Sequence, residues 1–600
     1  MTPIVSGILK ILEKTGFRML ILAVLVGIVA GCGALTFYFA TNSVEHLMLG
    51  KLGNFHPPLE GTPESSFDSF IGGLSTPYRW CLFLIPALGG LISGWLVYSF
   101  APEAEGHGTD GAIEAFHRKG GAIRGRVPII KTIASMITIG TGGSAGREGP
   151  IAQIGAGFGS FVATRLGLSV KDRRILLLAG MAGGIGATFR SPLGGALFAV
   201  EVLYRDPEFE HEGLIPSIIS SIIAYSLFGA VTGWEPLLDT PVFYFHQPME
   251  LLLYLVLGIV CALFGVFYVK TFYGIRDQFR KVPLPNWLKP ALGGLLLGIL
   301  AMIVPQVLGS GYGWVQAALY GKMALWVMLV VAIAKVIATS LTISSGGSGG
   351  VFAPSLVIGA MLGGTFGATA ELIFPAIAQD PRAYVLVGMA GFFAGVANAP
   401  IATLIMVSEL TGNYGLLAPL MLVCVVAMLV MRKNSIYEKQ VACRFDSPAH
   451  LGDFVIDVLE GIKVGDLAQK GRKPTLIPEG MPLPDILNRI ASARTAYYPV
   501  VDDQGLMTGI FSINDIRRIL NEDIPPTLVI ARDIATRNVI SATPDEHLTE
   551  VMKKLTARNL EEIPVVDADV PQKVLYMMSR RSLLAHYAEK IEKTKEDFRE

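Results

Sequence analysis

Apolar and polar positions divide this chain into two regimes. Up to about Met431 the apolar residues run in long blocks, and beyond Arg432 charges and prolines recur at short intervals. Crossing a bilayer as a helix takes about 20 mostly apolar residues. Met19–Ala40, Cys81–Phe100, Leu251–Val269, Leu386–Val407 and Tyr414–Met431 contain no Asp, Glu, Lys or Arg, and each predicts a membrane helix. The first block is too long for a cleavable signal core. It follows Lys10, Lys14 and Arg18, so the pattern predicts a cytoplasmic N-terminus. No segment between Arg432 and Glu600 could span, which predicts a soluble tail. The expected organisation is an all-α polytopic membrane domain over 1–440 and an α/β cytoplasmic domain over 441–600.

Inside the apolar regime two glycine-rich breaks stand in comparable places, GGSAGREGP at Gly142–Pro150 and GGSGGVFAP at Gly346–Pro354. Each reads as a helix start at membrane depth, where irregular backbone is tolerated only in a protein interior or along a water-filled cavity. Further pairs keep the same order: GHG at Gly106–Gly108 with GSG at Gly309–Gly311, and GMAGGIGATFRSPLGGALFAVEV from Gly180 with GMAGFFAGVANAPIATLIMVSEL from Gly388. The latter pair matches Pro192 with Pro400 and Glu201 with Glu409. Three pairs in order predict two structural repeats, about 20–235 and 250–435, and the repeated breaks point to a transport site. The spacing leaves open whether the repeats are inverted or parallel.

Composition agrees with a membrane protein. Hydrophobic residues make up 52% of the 600 and charged residues 16%, against about 25% charged in ordinary soluble domains. A formal net charge of zero gives no global attraction for nucleic acid. Five scattered cysteines, Cys32, Cys81, Cys261, Cys424 and Cys443, fit neither a disulfide framework nor a metal site and read as buried thiols. No nucleophile–base set or metal-ligand cluster points to an enzyme.

The chemistry resides in the breaks. A helix N-terminus presents unpaired N–H groups and a partial positive charge, a site that holds an anion without the grip of a full cation. Arg147 and Glu148 stand where a phosphate-binding P-loop needs Lys and Ser or Thr, so that alternative fails. Glu148 is a carboxylate where one is costly, and intramembrane ionisable residues mark function by default.

GHGTD at Gly106, GSAGREGP at Gly143, GGVFAP at Gly349 and Tyr437 in NSIYEKQ resemble, in order and spacing, the anion-pathway motifs of the CLC chloride channel and transporter family. The resemblance covers most of residues 15–440. It implies a homodimer with one anion pathway per subunit, each subunit built from two inverted repeats of tilted, broken helices. It assigns Glu148 as the gating carboxylate, which occupies an anion site until it moves aside or is protonated. It also implies that chloride is held by the backbone around Gly146, Arg147, Gly149, Val351 and Phe352, with the Tyr437 hydroxyl donating from the cytoplasmic side. Fluoride exporters of the family usually lack this tyrosine.

Two departures from the family pattern bear on mechanism. His107 stands where chloride-conducting relatives usually have Ser, followed by Thr109 and Asp110; an imidazole either donates to the anion or turns away, and Asp110 must be paired or turned outward. Val202 follows Glu201 where family exchangers usually carry a second glutamate as proton relay. Valine cannot carry a proton, so the coupling position leans toward passive conduction, with Glu201 a structural group hydrogen-bonded near a helix end.

The tail has its own repeat. YYPVVDDQGLMTGIFSINDIRRIL from Tyr497 and EIPVVDADVPQKVLYMMSRRSLLAHY from Glu562 each predict a strand, an acidic turn, a second strand and a helix opened by Ser512 or Ser579, after helices near Leu483–Ala493 and His547–Ala557. They resemble a pair of CBS domains, about 460–522 and 528–590, a module that contributes to dimerisation and whose cleft in some members takes an adenine nucleotide through an Asp at the position of Asp515. The sequence thus predicts a chloride channel gated by Glu148, with opening sensitive to pH and voltage, needing no cofactor, in a bacterial inner membrane, with the proton-coupled exchanger and a preference for another anion as alternatives.

Overall fold

A computed structural model describes residues 18–58, 61, 79–450 and 462–586, apart from 492, 494, 522–524, 558 and 559. Lys10 and Lys14 lie outside these residues, as does the side chain of Cys81. Two compact units, Met1–Ala449 and His450–Glu600, make up the chain.

The first unit is all helical. Its first half carries α1 (Arg18–Glu45), α2 (Arg79–Phe100), α3 (Thr109–Arg118), α4 (Arg126–Gly140), α5 (Glu148–Arg165), α6 (Val170–Thr188), α7 (Pro192–Glu201) and α8 (His211–Thr232). The second carries α9 (Glu250–Lys281), α10 (Lys289–Ile303), α11 (Tyr312–Leu319), α12 (Leu325–Ser344), α13 (Phe352–Ile373), α14 (Ala383–Ala397), α15 (Pro400–Thr411) and α16 (Leu417–Met431). Among the described residues, seven helices are long and apolar enough to cross a membrane. The others are short; the 15 residues of α16 reach only about 22 Å against a hydrocarbon core of about 30 Å.

One expected span is in fact two helices. Leu386–Val407 breaks between α14 and α15, where Asn398 takes the left-handed conformation at φ 53° and Pro400 opens the next helix. Hydropathy cannot see this break, because Asn398 is uncharged and the flanks are uniformly apolar. Conversely, α12 carries Lys335 and so lacked the charge-free signature of a span.

The two halves repeat each other contact by contact. Helix α5 packs on α6 through Gly155 and Gly180, and α13 on α14 through Gly359, Gly363 and Gly388, where any side chain would meet the facing backbone. Small residues of this kind let membrane helices approach closely. Each half also caps the other. Glu201, at the end of α7, accepts from the Ile401 and Ala402 amides at 3.1 and 2.6 Å, in the first turn of α15. Glu409, on α15, accepts from the Gly194 amide at 2.9 Å and the Ser191 hydroxyl at 2.6 Å, at the start of α7. The structural role expected of Glu201 is thereby explained: its carboxylate satisfies orphan amides at a buried helix N-terminus.

The fully buried Lys131 and Lys335 are a matched pair as well. Lys131 donates to the carbonyls of Ala104 and Gly106 at 3.0 and 2.6 Å; Lys335 donates to those of Val307 and Gly309 at 2.9 and 2.8 Å. Each ammonium ties down the irregular loop that opens α3 or α11, supplying partners that lipid could not. Of the cysteines, Cys261 and Cys424 are buried as expected, whereas Cys32 is exposed and Cys443 intermediate.

The second unit holds two small α/β modules. In one, β1 (Ile477–Pro478) pairs parallel with β2 (Tyr497–Val501), which pairs antiparallel with β3 (Met507–Ser512); α17 (Leu483–Ile490) and α18 (Ile513–Leu520) belong with it. In the other, β4 (Glu562–Val566) pairs antiparallel with β5 (Val574–Ser579), with helix at 580–586; α20 (Leu548–Ala557) precedes it, after the short α19 (Ala531–Ile534). The modules exchange their leading segments. Ile462, Val464 and Leu467 pack into the core of the second, and Val529, Ala531 and Ile534 into that of the first, so the first is drawn from the continuous stretch 477–535 and the second from 462–467 together with 540–583. Glu562 opens β4 with one carboxylate oxygen buried and without a hydrogen-bond partner among the described residues, and Arg472 lies 3.7 Å from the other.

Burial pushes the Glu562 carboxyl above the usual carboxylate range, and Arg472 offsets that only in part. The folded group holds its proton more tightly than the unfolded one, so its contribution to stability is present at acidic pH and lost as pH rises through the raised value. Glu562→Gln should therefore raise the unfolding midpoint of the tail at pH 7, by calorimetry on the purified protein, and give no gain at pH 4. A lower midpoint at pH 7 would mean that the Arg472 pair outweighs burial.

Candidate anion pathway

The two glycine-rich breaks meet face to face. Gly146 and Gly350 exchange both backbone hydrogen bonds, each 2.8 Å, in an antiparallel bridge. The flanking loops join the same mesh: the Gly106 amide donates to Gly347, the Gly349 amide to Gly106, and the Gly309 amide to Gly142. The helices that follow, α5 and α13, begin at Glu148 and Phe352, with Pro150 and Pro354 in their first turns. The sequence placed helix starts here; the structure adds that each break satisfies the peptide groups freed by the other.

Glu148 is buried, at 3% exposure. Its Oε1 accepts from the Tyr312 hydroxyl at 2.7 Å. Its Oε2 lies over Gly146, where a side-chain carbon would overlap both it and the first turn of α13 at Ala353, and it is buried with no hydrogen-bond partner of good geometry among the described residues. The carboxylate thus sits on the first turns of two helices, the place where their dipoles and free N–H groups favour an anion. The Gly146 amide, expected to donate to the anion, is engaged by Gly350; the contribution of Gly146 is the room it leaves for the carboxylate. Gly149 has a similar task, since its Cα faces the His107 carbonyl too closely for any side chain.

The remaining expected residues surround this point. Arg147 reaches away to Asn42 at 2.6 Å and Glu45 at 3.8 Å, with its guanidinium over the Tyr38 ring. Val351 and Phe352 are buried, and the Phe352 ring stands 4.4 Å from that of Phe189 and 4.1 Å from that of Phe393. Tyr437 is fully buried on an irregular segment after α16, and its hydroxyl has no hydrogen-bond partner of good geometry among the described residues. Its ring lies 5.3 Å from that of His107. The segment is pinned by Gln440, whose side-chain amide donates to the carbonyls of Val202 and Ala397, both at 2.9 Å. Val202 itself is buried in the apolar core. Asp110 is paired, as its position demanded: Oδ2 is 3.3 Å from His107 Nε2, and Oδ1 accepts from the Lys439 amide.

Two cavities flank the set and share no lining residue. One of about 440 Å³ is lined by His107, Asp110, Tyr273, Arg276, Glu438 and Lys439 among others. The other, about 130 Å³, is lined by Arg147, Glu148, Arg190 and Tyr312 among others. In the second unit, Asp515 accepts from the Ser512 amide and hydroxyl at 2.8 and 2.7 Å, closing the start of α18. Among the described residues, no group of three or more His, Cys, Asp or Glu could hold a metal ion.

The family model for the voltage gated chloride channel matches residues 89–432. The chain belongs to the CLC family. A CBS domain model matches 464–522 and 531–589. The CLC relatives include the H(+)/Cl(-) exchange transporter ClcA of Vibrio parahaemolyticus, 32% identical over 426 residues, with 70% of this chain and 87% of the relative covered. They also include the chloride channel protein CLC-f of Arabidopsis thaliana, 28% identical over 661 residues, with 90% and 84% covered. Among solved structures, a slow cyanobacterial Cl-/H+ antiporter superposes with a TM-score of 0.61 at 24% identity, over 70% of this chain and 96% of that one. A eukaryotic CLC transporter does so with a TM-score of 0.57 at 19% identity, over 94% and 98%. This is therefore a multi-pass membrane protein of a CLC anion-transport family, not of an enzyme family.

Tyr312 is the site residue that sequence reasoning missed. The signal was present in the pairing of GHGTD with GSGYG, which sets Tyr312 in the second repeat opposite Thr109 in the first. Its hydroxyl holds the carboxyl group in place through a hydrogen bond of 2.7 Å, and such bonds contribute about 0.5–1.5 kcal/mol. Tyr312→Phe should accordingly raise chloride efflux from proteoliposomes at pH 7 by up to about tenfold, by freeing Glu148 to leave. Efflux equal to or below that of the parent would show that Tyr312 does not hold the closed position.

Proposed function

We propose that the protein conducts chloride passively through one pathway per subunit of a homodimer, with the Glu148 carboxylate as the gate. The observation that carries this reading is the position of that carboxylate, buried against the first turns of α5 and α13 in place of an anion. An anion reaching the site must displace it, and protonation weakens its competition by removing its charge. Passive conduction is favoured by Val202, buried in apolar surroundings where a relay would need a titratable group.

Proton-coupled chloride exchange is the second reading. It is supported by the exchangers among the relatives, ClcA at 32% identity foremost. The gate geometry serves both, because a carboxylate that competes with an anion can also accept a proton. We propose in addition a bacterial inner membrane as its location, with both termini cytoplasmic, a reading supported by Arg18 at the start of α1. An adenine nucleotide at the CBS pair, near Asp515, remains a proposal carried by the family resemblance alone.

Reconstitution in liposomes with a chloride gradient separates the two readings. Passive conduction predicts a reversal potential at the chloride equilibrium value and no uphill proton movement; proton uptake against its gradient would establish exchange instead. In the same assay Glu148→Gln should give flux that no longer changes between pH 4.5 and 7.5. Retention of the parental pH dependence would remove Glu148 from the gate.

A further inference from the structure

The segment that joins the two repeats lies over the gate. Residues 233–249 form neither helix nor strand, yet they are tied down along their length. Leu238 and Phe243 are buried. The Leu238 amide donates to the Leu410 carbonyl at 3.1 Å, and the Phe245 amide to that of Gly415 at 3.2 Å. The Thr240 hydroxyl donates to the Thr411 carbonyl and the Asn413 side-chain amide to the Pro241 carbonyl, both at 3.2 Å. These bonds lash the strap to the end of α15 and the turn after it. From the first repeat, Arg190 donates to the carbonyls of Thr232 and Glu235. Glu235, Pro236 and Leu237 then line the 130 Å³ cavity together with Arg190, Glu148 and Tyr312.

The strap also holds the helix that carries Tyr312. Just past the end of α11, the Tyr320 hydroxyl donates to Asp239 Oδ2 at 2.6 Å. At 1.5 Å per residue, Tyr312 and Tyr320 stand about 12 Å apart along the axis. The short helix therefore has the partner of the gate carboxyl at one end and the partner of the strap at the other. All eight of its residues are buried. On its flank, Gln316 accepts from the Gly61 amide at 2.9 Å, and Gly313 lies too close to the Pro58 carbonyl for any side chain. Close packing of this kind transmits displacement instead of absorbing it.

We propose that Asp239 and Tyr320 are positioning residues for the gate: the inter-repeat strap, acting through α11, sets how firmly Tyr312 holds the Glu148 carboxyl group. The inference rests on the gate reading above and extends it to the surface, since Asp239 is exposed whereas Glu148 and Tyr312 are buried. The strap belongs to neither repeat, and it bonds to Arg190 of the first and Tyr320 of the second. A shift of one repeat against the other thereby reaches the gate through a defined contact.

Chloride efflux from proteoliposomes at pH 7.5 and pH 4.5 tests this in the full-length protein. Tyr320→Phe and Asp239→Ala should each raise efflux at pH 7.5 about threefold and leave it unchanged at pH 4.5, where protonation has already released the gate. Asp239→Asn keeps an oxygen acceptor for the phenol, so its efflux should stay closer to the parent's than that of Asp239→Ala. In a Tyr312→Phe background Tyr320→Phe should add nothing, because the contact through which it acts is gone. It should likewise change nothing in Glu148→Gln. The assignment is overturned by parental efflux in both Tyr320→Phe and Asp239→Ala, or by an increase that persists in full in either background. Failure of the gate reading has a separate sign: Glu148→Gln that keeps the parental pH dependence removes the gate and this inference with it. Loss of that dependence in Glu148→Gln, with unresponsive strap variants, leaves the gate standing and removes the strap alone. Should Tyr320→Phe fail to fold, as judged by elution profile, Asp239→Ala at the exposed end of the pair decides.

Discussion

Peptide groups freed at membrane depth must find partners inside the protein, and this constraint shapes the whole first unit. A helix that starts halfway across a bilayer leaves N–H and C=O groups that lipid cannot satisfy. The chain answers by bringing two such starts together. Gly146 and Gly350 exchange hydrogen bonds, and the loops at Gly106 and Gly309 join the mesh. Lys131 and Lys335 supply side-chain N–H donors to the loop carbonyls of Ala104, Gly106, Val307 and Gly309. The first-turn amides of α5 and α13 are left facing the space where Glu148 now lies. The anion site is thus the remainder of a backbone problem whose other parts have been solved.

The same arithmetic explains why the site is weak enough to serve transport. Partial charges at helix ends attract an anion without holding it as a lysine or arginine would. The cations nearest the path are engaged elsewhere: Arg147 by Asn42 and Glu45, Arg276 by Glu438, and both buried lysines by carbonyls. In the proposed pathway, selectivity and control fall to side chains with modest, adjustable chemistry. These are the Tyr312 and Tyr437 hydroxyls, the Glu148 carboxylate and the His107 imidazole.

Much of this was legible in the sequence because glycine, proline and buried charge are hard to disguise. The breaks at Gly142 and Gly346, the helix starts at Glu148 and Phe352, and the paired motifs all follow from residue types with few other uses in an apolar segment. The tail strands followed from alternation and turn chemistry, although the exchange of leading segments between its modules did not, since patterning reports faces and not partners. The split at Asn398 was hidden because neither hydropathy nor charge marks it. Tyr312 was hidden because a tyrosine in a membrane segment is usually packing. The engagement of the Gly146 amide by Gly350 depends on two loops about two hundred residues apart meeting, which no local pattern records.

The reciprocal caps of Glu201 and Glu409 bear on how the protein is made. The amide of Gly194 and the carboxylate that receives it are 215 residues apart in sequence. At a synthesis rate of roughly 5–20 residues per second, the first repeat waits about 10–40 s in the membrane with the start of α7 uncapped. Neither repeat is a finished object alone; each emerges as a half whose polar groups are addressed to a segment not yet translated. The duplicated architecture therefore ties completion of the first half to arrival of the second, and a chain arrested between the repeats presents unpaired amides of a kind that membrane quality control could recognise.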